Sequence, residues 1–260
     1  MNILDKIVNR KKEEVAEAKK KVSVAELEAN ANFSRQPFVF KEFLLDENRT
    51  GIIAEFKRRS PSKGLINGTA DVAEVTQAYN LAGAAALSVL TDTDFFGGKA
   101  EDLFKARAVN QIPILRKDFM IDEYQILEAK AWGADIILLI ASILTPQQII
   151  SFGKLAQSLG LNVLLEVHNL AELEKSICPN LDAIGVNNRN LGDFSVNIQT
   201  SFNLVSKIPD EFLKISESAI DNPAVIKELK TVGYNGFLIG ENFMKTNNPG
   251  KEMLEFVKHL

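Results

Sequence analysis

The sequence predicts a (β/α)8 TIM barrel with an extra N-terminal helical segment. From Ile52 onward, eight short apolar, β-branched runs alternate with amphipathic stretches, the pattern of repeated βα units around a parallel sheet. Glycines and capping residues punctuate the passage from one run to the next. Length agrees, because 260 residues with 46% hydrophobic side chains can bury one large core of the size that α/β barrels occupy. The expected organisation is one barrel domain over residues 1–260, with 1–50 as a helical extension packed on it.

Residues 1–50 do not follow the βα period. Ile3, Leu4, Ile7, Val8 and Val15 mark one face of a helix, while Lys11, Lys12, Glu13 and Glu14 mark a face expected to be solvated. Pro37, Phe38, Phe40, Phe43 and Leu44 are candidates to cover the barrel or its mouth. The first strand is expected over Ile52–Phe56, followed by a helix over Val72–Leu81 with Gly83 after it. The next runs are Ala86–Leu90, Pro113–Arg116 and Asp135–Ile140. The last four are Asn162–Val167, Ala183–Val186, Phe212–Ile215 and Gly236–Ile239. Helices over Glu123–Trp132 and Pro146–Leu159 are stopped by Gly133 and Gly160, since glycine tolerates the left-handed conformation that ends many helices. Thr145-Pro146 and Asn222-Pro223 each suit an N-cap followed by the first helical position.

Composition removes several function classes. Thirty basic against 34 acidic side chains leave a formal charge of -4, so no global positive field favours nucleic acid or an anionic membrane, and the run Lys57-Arg58-Arg59 with Lys63 is too short to argue for nucleic acid by itself. The longest apolar run, Ile136 to Ala141, is far too short to span a bilayer, and no signal-like segment opens the chain; a cytoplasmic protein is expected. Cys178, the only cysteine, cannot form an internal disulfide. His168 and His259 alone make neither a Cys/His zinc cluster nor an obvious histidine triad.

In parallel barrels, ligand sites form at the C-terminal ends of the strands, where the βα loops converge. Five strands run out into polar residues there: Glu55, Lys57 and Ser60; Lys117; Glu166; Asn187 and Arg189; Glu217 and Ser218. Any one has an ordinary explanation as a loop charge or cap. Together they would crowd ionisable groups into a partly dry cavity, where neighbours shift pKa values toward useful acid–base chemistry.

One stretch is more specific. Ile53-Ala54-Glu55-Phe56-Lys57-Arg58-Arg59-Ser60-Pro61-Ser62-Lys63-Gly64 resembles the strand-1 signature of indoleglycerol-phosphate synthases. Leu115-Arg116-Lys117-Asp118-Phe119, Leu165-Glu166-Val167-His168, Ile184-Gly185-Val186-Asn187-Asn188-Arg189-Asn190-Leu191 and Ile215-Ser216-Glu217-Ser218 resemble later family blocks in the same order. The resemblance spans nearly the whole chain, accessory helix included. It implies a carboxyphenylamino-deoxyribulose phosphate substrate, closed to an indole with loss of carbon dioxide and water.

By that resemblance Lys117 is the general acid for ring closure, Glu55 with Lys57 serves later proton transfers, and Glu166 orients Lys117 and is a candidate base. Asn187, Glu217 and Ser218 would hold the hydroxyl and amine groups. Phe96, Phe119 and Leu191 are candidates to wall the aromatic ring, with core packing as the alternative for the phenylalanines. The phosphate is expected over the loops at Ser216-Glu217-Ser218-Ala219 and Ile239-Gly240-Glu241-Asn242, with Ser60, and Arg189 joins the substrate-binding set. Ala219 stands where the family usually has glycine. Because alanine disfavours positive φ, ordinary dihedrals are expected there, and Glu241 is expected to point outward so that only its backbone N–H faces an anion.

No cofactor is expected, since ring closure creates an iminium-like electron sink within the substrate. Asp92 and Asp94 could be imagined as a metal pair, but the following Phe95-Phe96-Gly97-Gly98 suits a turn better. The expected partner is the small-molecule phosphosugar–anthranilate substrate, with no nucleic acid, no membrane and a monomeric chain. The nearest alternative is phosphoribosylanthranilate isomerase or another phosphosugar barrel; against the isomerase, Cys178 lies between helix and strand, away from the expected active face.

Overall fold

A computed structural model describes residues 3–190, 192 and 194–260. The eight apolar runs become eight parallel strands: β1 (Ile52–Phe56), β2 (Ala86–Leu90), β3 (Ile114–Lys117), β4 (Ile136–Ile140), β5 (Asn162–Val167), β6 (Ala183–Asn187), β7 (Leu213–Glu217) and β8 (Gly236–Ile239). They pair in chain order and close through β1 against β8, so the sheet has no exposed edge. Strands β3, β6 and β7 extend past the expected apolar runs because the backbone ladder continues under polar side chains, pairing Leu90 with Lys117 and Asn187 with Glu217. These extra residues carry the chemistry.

Outside the strands lie α4 (Val72–Leu81), α5 (Ala100–Val109), α6 (Glu123–Trp132), α7 (Pro146–Ser158), α8 (Leu170–Ser176), α9 (Gln199–Leu204), α10 (Pro223–Thr231), α11 (Glu241–Met244) and α12 (Pro249–Val257). Gly133 closes α6 at φ 90°, and Gly83 and Gly160 hold φ 91° and 74° just past α4 and α7, so the expected stops are real. Thr145 caps α7 in a reciprocal box with Gln148, and Asn222 caps α10.

Strand periodicity sorts side chains between two cores. Ile52, Ala54, Phe56, Ile137, Leu139, Val163 and Leu165 face the helices, while Ile53, Leu115, Ile136, Leu138, Leu164, Ile215 and Leu238 fill the barrel. The same alternation turns Glu55, Lys117, Glu166, Asn187 and Glu217 inward, near the C-terminal ends of their strands.

The first 50 residues form α1 (Ile3–Lys21), α2 (Val24–Glu28), a 3-10 turn and α3 (Phe40–Leu44). Phe40 and Leu44 join the interior cluster, and the Phe40 amide donates to Asn162 Oδ1 at the start of β5, so α3 plugs the N-terminal end of the barrel. Helix α1 reaches the opposite end. The expectation of a wholly solvated charged face on it is wrong for Lys11, which is 3% exposed with its ammonium 2.9 Å from Asp92 and 3.0 Å from Asp118. A buried lysine is tolerable when carboxylates surround it, and Glu14 adds a third at 2.6 Å. Lys12 and Glu13 are exposed as expected. Among the described residues, no helix is long and apolar enough to cross a membrane.

Candidate active site

The strand ends converge on one cavity of about 410 Å³. Glu55, Lys57, Ser60, Phe96, Lys117, Phe119, Glu166, Asn187, Arg189, Glu217, Ser218, Ala219, Gly240 and Glu241 all line it. Leu191, expected on its aromatic side, lies outside the described residues.

At the floor Lys117 donates to Glu166 Oε2 at 2.7 Å and to Glu217 Oε2 at 3.1 Å. Beside it, Lys57 Nζ is 2.9 Å from Glu55 Oε1, and Ser88 donates to Glu55 Oε2 at 3.3 Å. Small residues make the space. A Cβ at Gly185 would collide with Glu217 Oε1, and one at Gly240 would lie 2.5 Å from Glu55 Oε1. Three carboxylates facing two ammoniums leave one negative charge uncompensated in a buried place, and the proton affinities respond.

Burial disfavours the Lys117 ammonium, yet Glu166, Glu217 and Glu55 overcome it and hold the group protonated far above the usual lysine range. Burial also disfavours the Glu166 anion, but Lys117 and His168 overcome that and keep its carboxyl below the ordinary carboxylate range. Glu217 behaves oppositely: burial, reinforced by Glu166 and Glu55 and opposed by Lys117, pushes it up to about 7. Two carboxylates on one lysine are therefore unequal, one a fixed anion and one that exchanges protons near neutrality.

One wall is apolar. Phe96 and Phe119 stand with ring centroids 6.0 Å apart, and Ile3, Leu4 and Ile7 of α1 close the same side. Both phenylalanines thus line the cavity while packing on each other. The loop carrying Phe96 is set by Asp92, whose Oδ1 accepts from the amides of Phe95 and Phe96, and the one carrying Phe119 by Asp118, whose Oδ1 accepts from the Phe119 amide. Asp92 and Asp94 are each engaged by a cation of α1: Asp92 by Lys11 at 2.9 Å and Asp94 by Arg10 at 2.6 Å. Among the described residues no cluster suits a metal ion.

The polar end departs from expectation twice. Ser218 and Ala219 have φ 65° and 59°, so the ordinary dihedrals expected at Ala219 are overturned. Left-handed backbone costs a non-glycine residue roughly 1–2 kcal/mol. Asn188 supplies the tether that overrides it: its side-chain amide donates to the carbonyls of Glu217 and Ser218 at 3.0 and 3.2 Å, and its backbone amide to Glu217 at 2.9 Å. Ile220, buried in the outer core, fixes the far side of the turn. Nor does Glu241 turn away from the mouth. Its carboxylate lies 3.5 Å from both Lys63 and Arg189, because these cations on facing loops attract it across the opening.

Sequence reasoning passed over three contributors. Lys11 was hidden by the charged run around it; Lys63 sat in the strand-1 motif without a separate role; and His168, part of the Glu166 block, lies 3.4 Å from Glu166 Oε1. Cys178 is buried among apolar side chains of the outer core.

A family model described as indole-3-glycerol phosphate synthase matches residues 4–256. The chain is 46% identical to a Bacteroides thetaiotaomicron protein named indole-3-glycerol phosphate synthase, over 100% of this chain and 99% of that one. It is 42% identical to a Bordetella pertussis protein of the same name, covering 98% and 99%. Among solved structures, thiamine phosphate pyrophosphorylase from Pyrococcus furiosus superposes with TM-score 0.59 at 17% identity, over 82% of this chain and 96% of that one, a likeness of fold alone.

Proposed function

We propose a division of labour for the cavity from the premise that this chain belongs to the indole-3-glycerol phosphate synthase family, the decarboxylating lyases of tryptophan biosynthesis. The reaction closes 1-(2-carboxyphenylamino)-1-deoxy-D-ribulose 5-phosphate to indole-3-glycerol phosphate. The observation that carries the assignment is Lys117 held between Glu166 and Glu217 at the floor of a cavity with one aromatic and one polar end.

The ring carbon bearing the carboxylate attacks the ketone carbon, and the carbonyl electron pair moves onto oxygen. Lys117 meets that oxygen with its ammonium and gives it a proton, because an alkoxide is a stronger base than either carboxylate beside the lysine. The iminium formed in the ring draws in the electrons of the carbon–carboxylate bond as carbon dioxide leaves. Dehydration then needs an acid for the departing hydroxyl and a base for a proton. Lys57 paired with Glu55 supplies the acid, and Glu217, poised at about 7, takes the proton. Asn187 and Ser218 hold substrate hydroxyls.

The anthranilate ring lies against Phe96 and Phe119, and the phosphate reaches the other end, where Ser60, Ser218, Ala219 and Gly240 gather beside Lys63 and Arg189. On binding, phosphate takes over the two cations from Glu241, which swings to solvent. The enzyme works in the cytoplasm on this small molecule, without nucleic acid, membrane or cofactor.

The test is indole fluorescence appearing when purified protein meets the carboxyphenylamino-deoxyribulose phosphate in the presence of a chelator. The assigned role also requires that Lys117→Ala lose roughly 10²–10⁴-fold in kcat while KM changes little. Near-normal turnover in Lys117→Ala, or activity recovered only with added metal, overturns the assignment.

A further inference from the structure

Behind Glu166, outside the cavity, a second set of charges continues the line that starts at Lys117. His168 Nε2, buried without a hydrogen-bond partner, stands 3.4 Å from Glu166 Oε1, within ion-pair range for a protonated ring, while Glu166 Oε2 faces Lys117. The other ring nitrogen, Nδ1, is 3.0 Å from Glu172 Oε2 on α8. Glu172 is fixed in its turn by the His168 backbone amide at 2.9 Å and by the Asn169 side chain at 3.0 Å. Lys117, Glu166, His168 and Glu172 thus stand in line, and a protonated ring makes cation and anion alternate along it.

We propose that His168 is a positioning residue that works as an imidazolium, holding Glu166 ionised and turned toward Lys117, so that Glu217 is the carboxylate of the pair that exchanges protons. The inference rests on the role given above to Lys117 and adds what makes its two carboxylates unequal.

The asymmetry is geometric. Glu166 faces Lys117 on one side and His168 on the other, whereas among the described residues Glu217 meets Lys117 alone among cations, has Glu55 and Glu166 as like-charged neighbours, and keeps Oε1 buried without a hydrogen-bond partner. A proton entering this cluster therefore settles on Glu217, because protonating Glu166 would strip the counter-charge from two cations at once. With Glu172 counted, four carboxylates face three cations, so the imidazolium offsets Glu172 and one negative charge still remains for Glu217 to relieve by taking a proton. The His168 side chain is 11% exposed, and a cation there persists only because carboxylates face both nitrogens. Burial disfavours the charge, but Glu166 and Glu172 overcome it and push the imidazole up to about 10.

Only two histidines occur in the chain, and His259 is exposed, so the ring can be followed directly. In nitrogen-15 spectra of the full-length protein, with His259→Gln used for assignment, the His168 ring should keep both nitrogens protonated beyond about pH 8, well above the ordinary midpoint near 6.5. His168→Gln should lose roughly 10- to 100-fold in kcat, the range usual for groups that orient a functional side chain, with KM within about threefold. The acidic limb of its kcat/KM profile should move to higher pH, because Glu166 then competes for the proton. A ring that is neutral at pH 7, or a His168→Gln profile and kcat matching the parent, overturns the proposal and leaves the synthase activity itself untouched. Should His168→Gln fail to fold, the ring spectra of the parent decide by themselves.

Discussion

The ammonium of Lys11, carried on α1, stands 2.9 Å from Asp92 at the end of β2, and Asp92 in turn holds the amides of Phe95 and Phe96. One buried cation thus ties the N-terminal helix to the aromatic wall of the cavity. Lys11→Met would leave Asp92 and Asp118 buried with Arg116, 3.0 Å from Asp118, as the one cation beside them among the described residues. Breaking a buried pair from one side costs about 3–5 kcal/mol, so the denaturation midpoint should fall sharply and KM should rise as Phe96 loosens. An unchanged midpoint would mean that the carboxylates are neutralised without Lys11.

Glu217 gives stability a pH dependence of unusual sign. Its folded value, about 7, lies above the ordinary 4.5, so the folded state binds the extra proton between those values. Its contribution is fully present below about 4.5 and is lost as pH rises through about 7. Glu217→Gln should abolish most turnover yet stabilise the protein at pH 8, by roughly 1–3 kcal/mol on the scale of about 1.4 kcal/mol per pKa unit. Urea unfolding at pH 5 and pH 8 reads this directly: the gain should shrink at the lower pH, and a gain equal at both would refute the linkage.

Gly240 is a matter of space rather than of φ. A Cβ there would sit 2.5 Å from Glu55 Oε1 and 2.8 Å from Glu55 Cβ, so Gly240→Val displaces Glu55 as well as crowding the phosphate. Steady-state kinetics should show KM raised and kcat lowered together, with inorganic phosphate competing against substrate in the parent enzyme. Unchanged KM with no phosphate competition would move the phosphate to other loops.

Ala219 at φ 59° is a place where glycine should be better tolerated than alanine. Relief of roughly 1–2 kcal/mol of left-handed strain is opposed by about 0.5–1 kcal/mol of extra chain entropy lost by glycine. Ala219→Gly should therefore leave stability equal or raise it by up to about 1.5 kcal/mol, with KM no worse. A lower melting temperature would show that Asn188 and Ile220 had already removed the strain.

The strands, most helix stops and the inward set Glu55, Lys117, Glu166, Asn187 and Glu217 were legible because they depend on local periodicity. A period of two decides which side of a strand a residue takes, and a closed barrel gives that side one interior. The sequence by itself determined the barrel, the end at which chemistry gathers and, through its motifs, the family. It could not rank the two carboxylates on Lys117, since that depends on a histidine from the far side of Glu166. The burial of Lys11, the left-handed turn at Ser218 and Ala219 and the bridge from Glu241 to Lys63 and Arg189 belonged to tertiary structure alone. Each is a contact between segments far apart in the chain, where burial and counter-charge exceed the local preferences that a sequence pattern records.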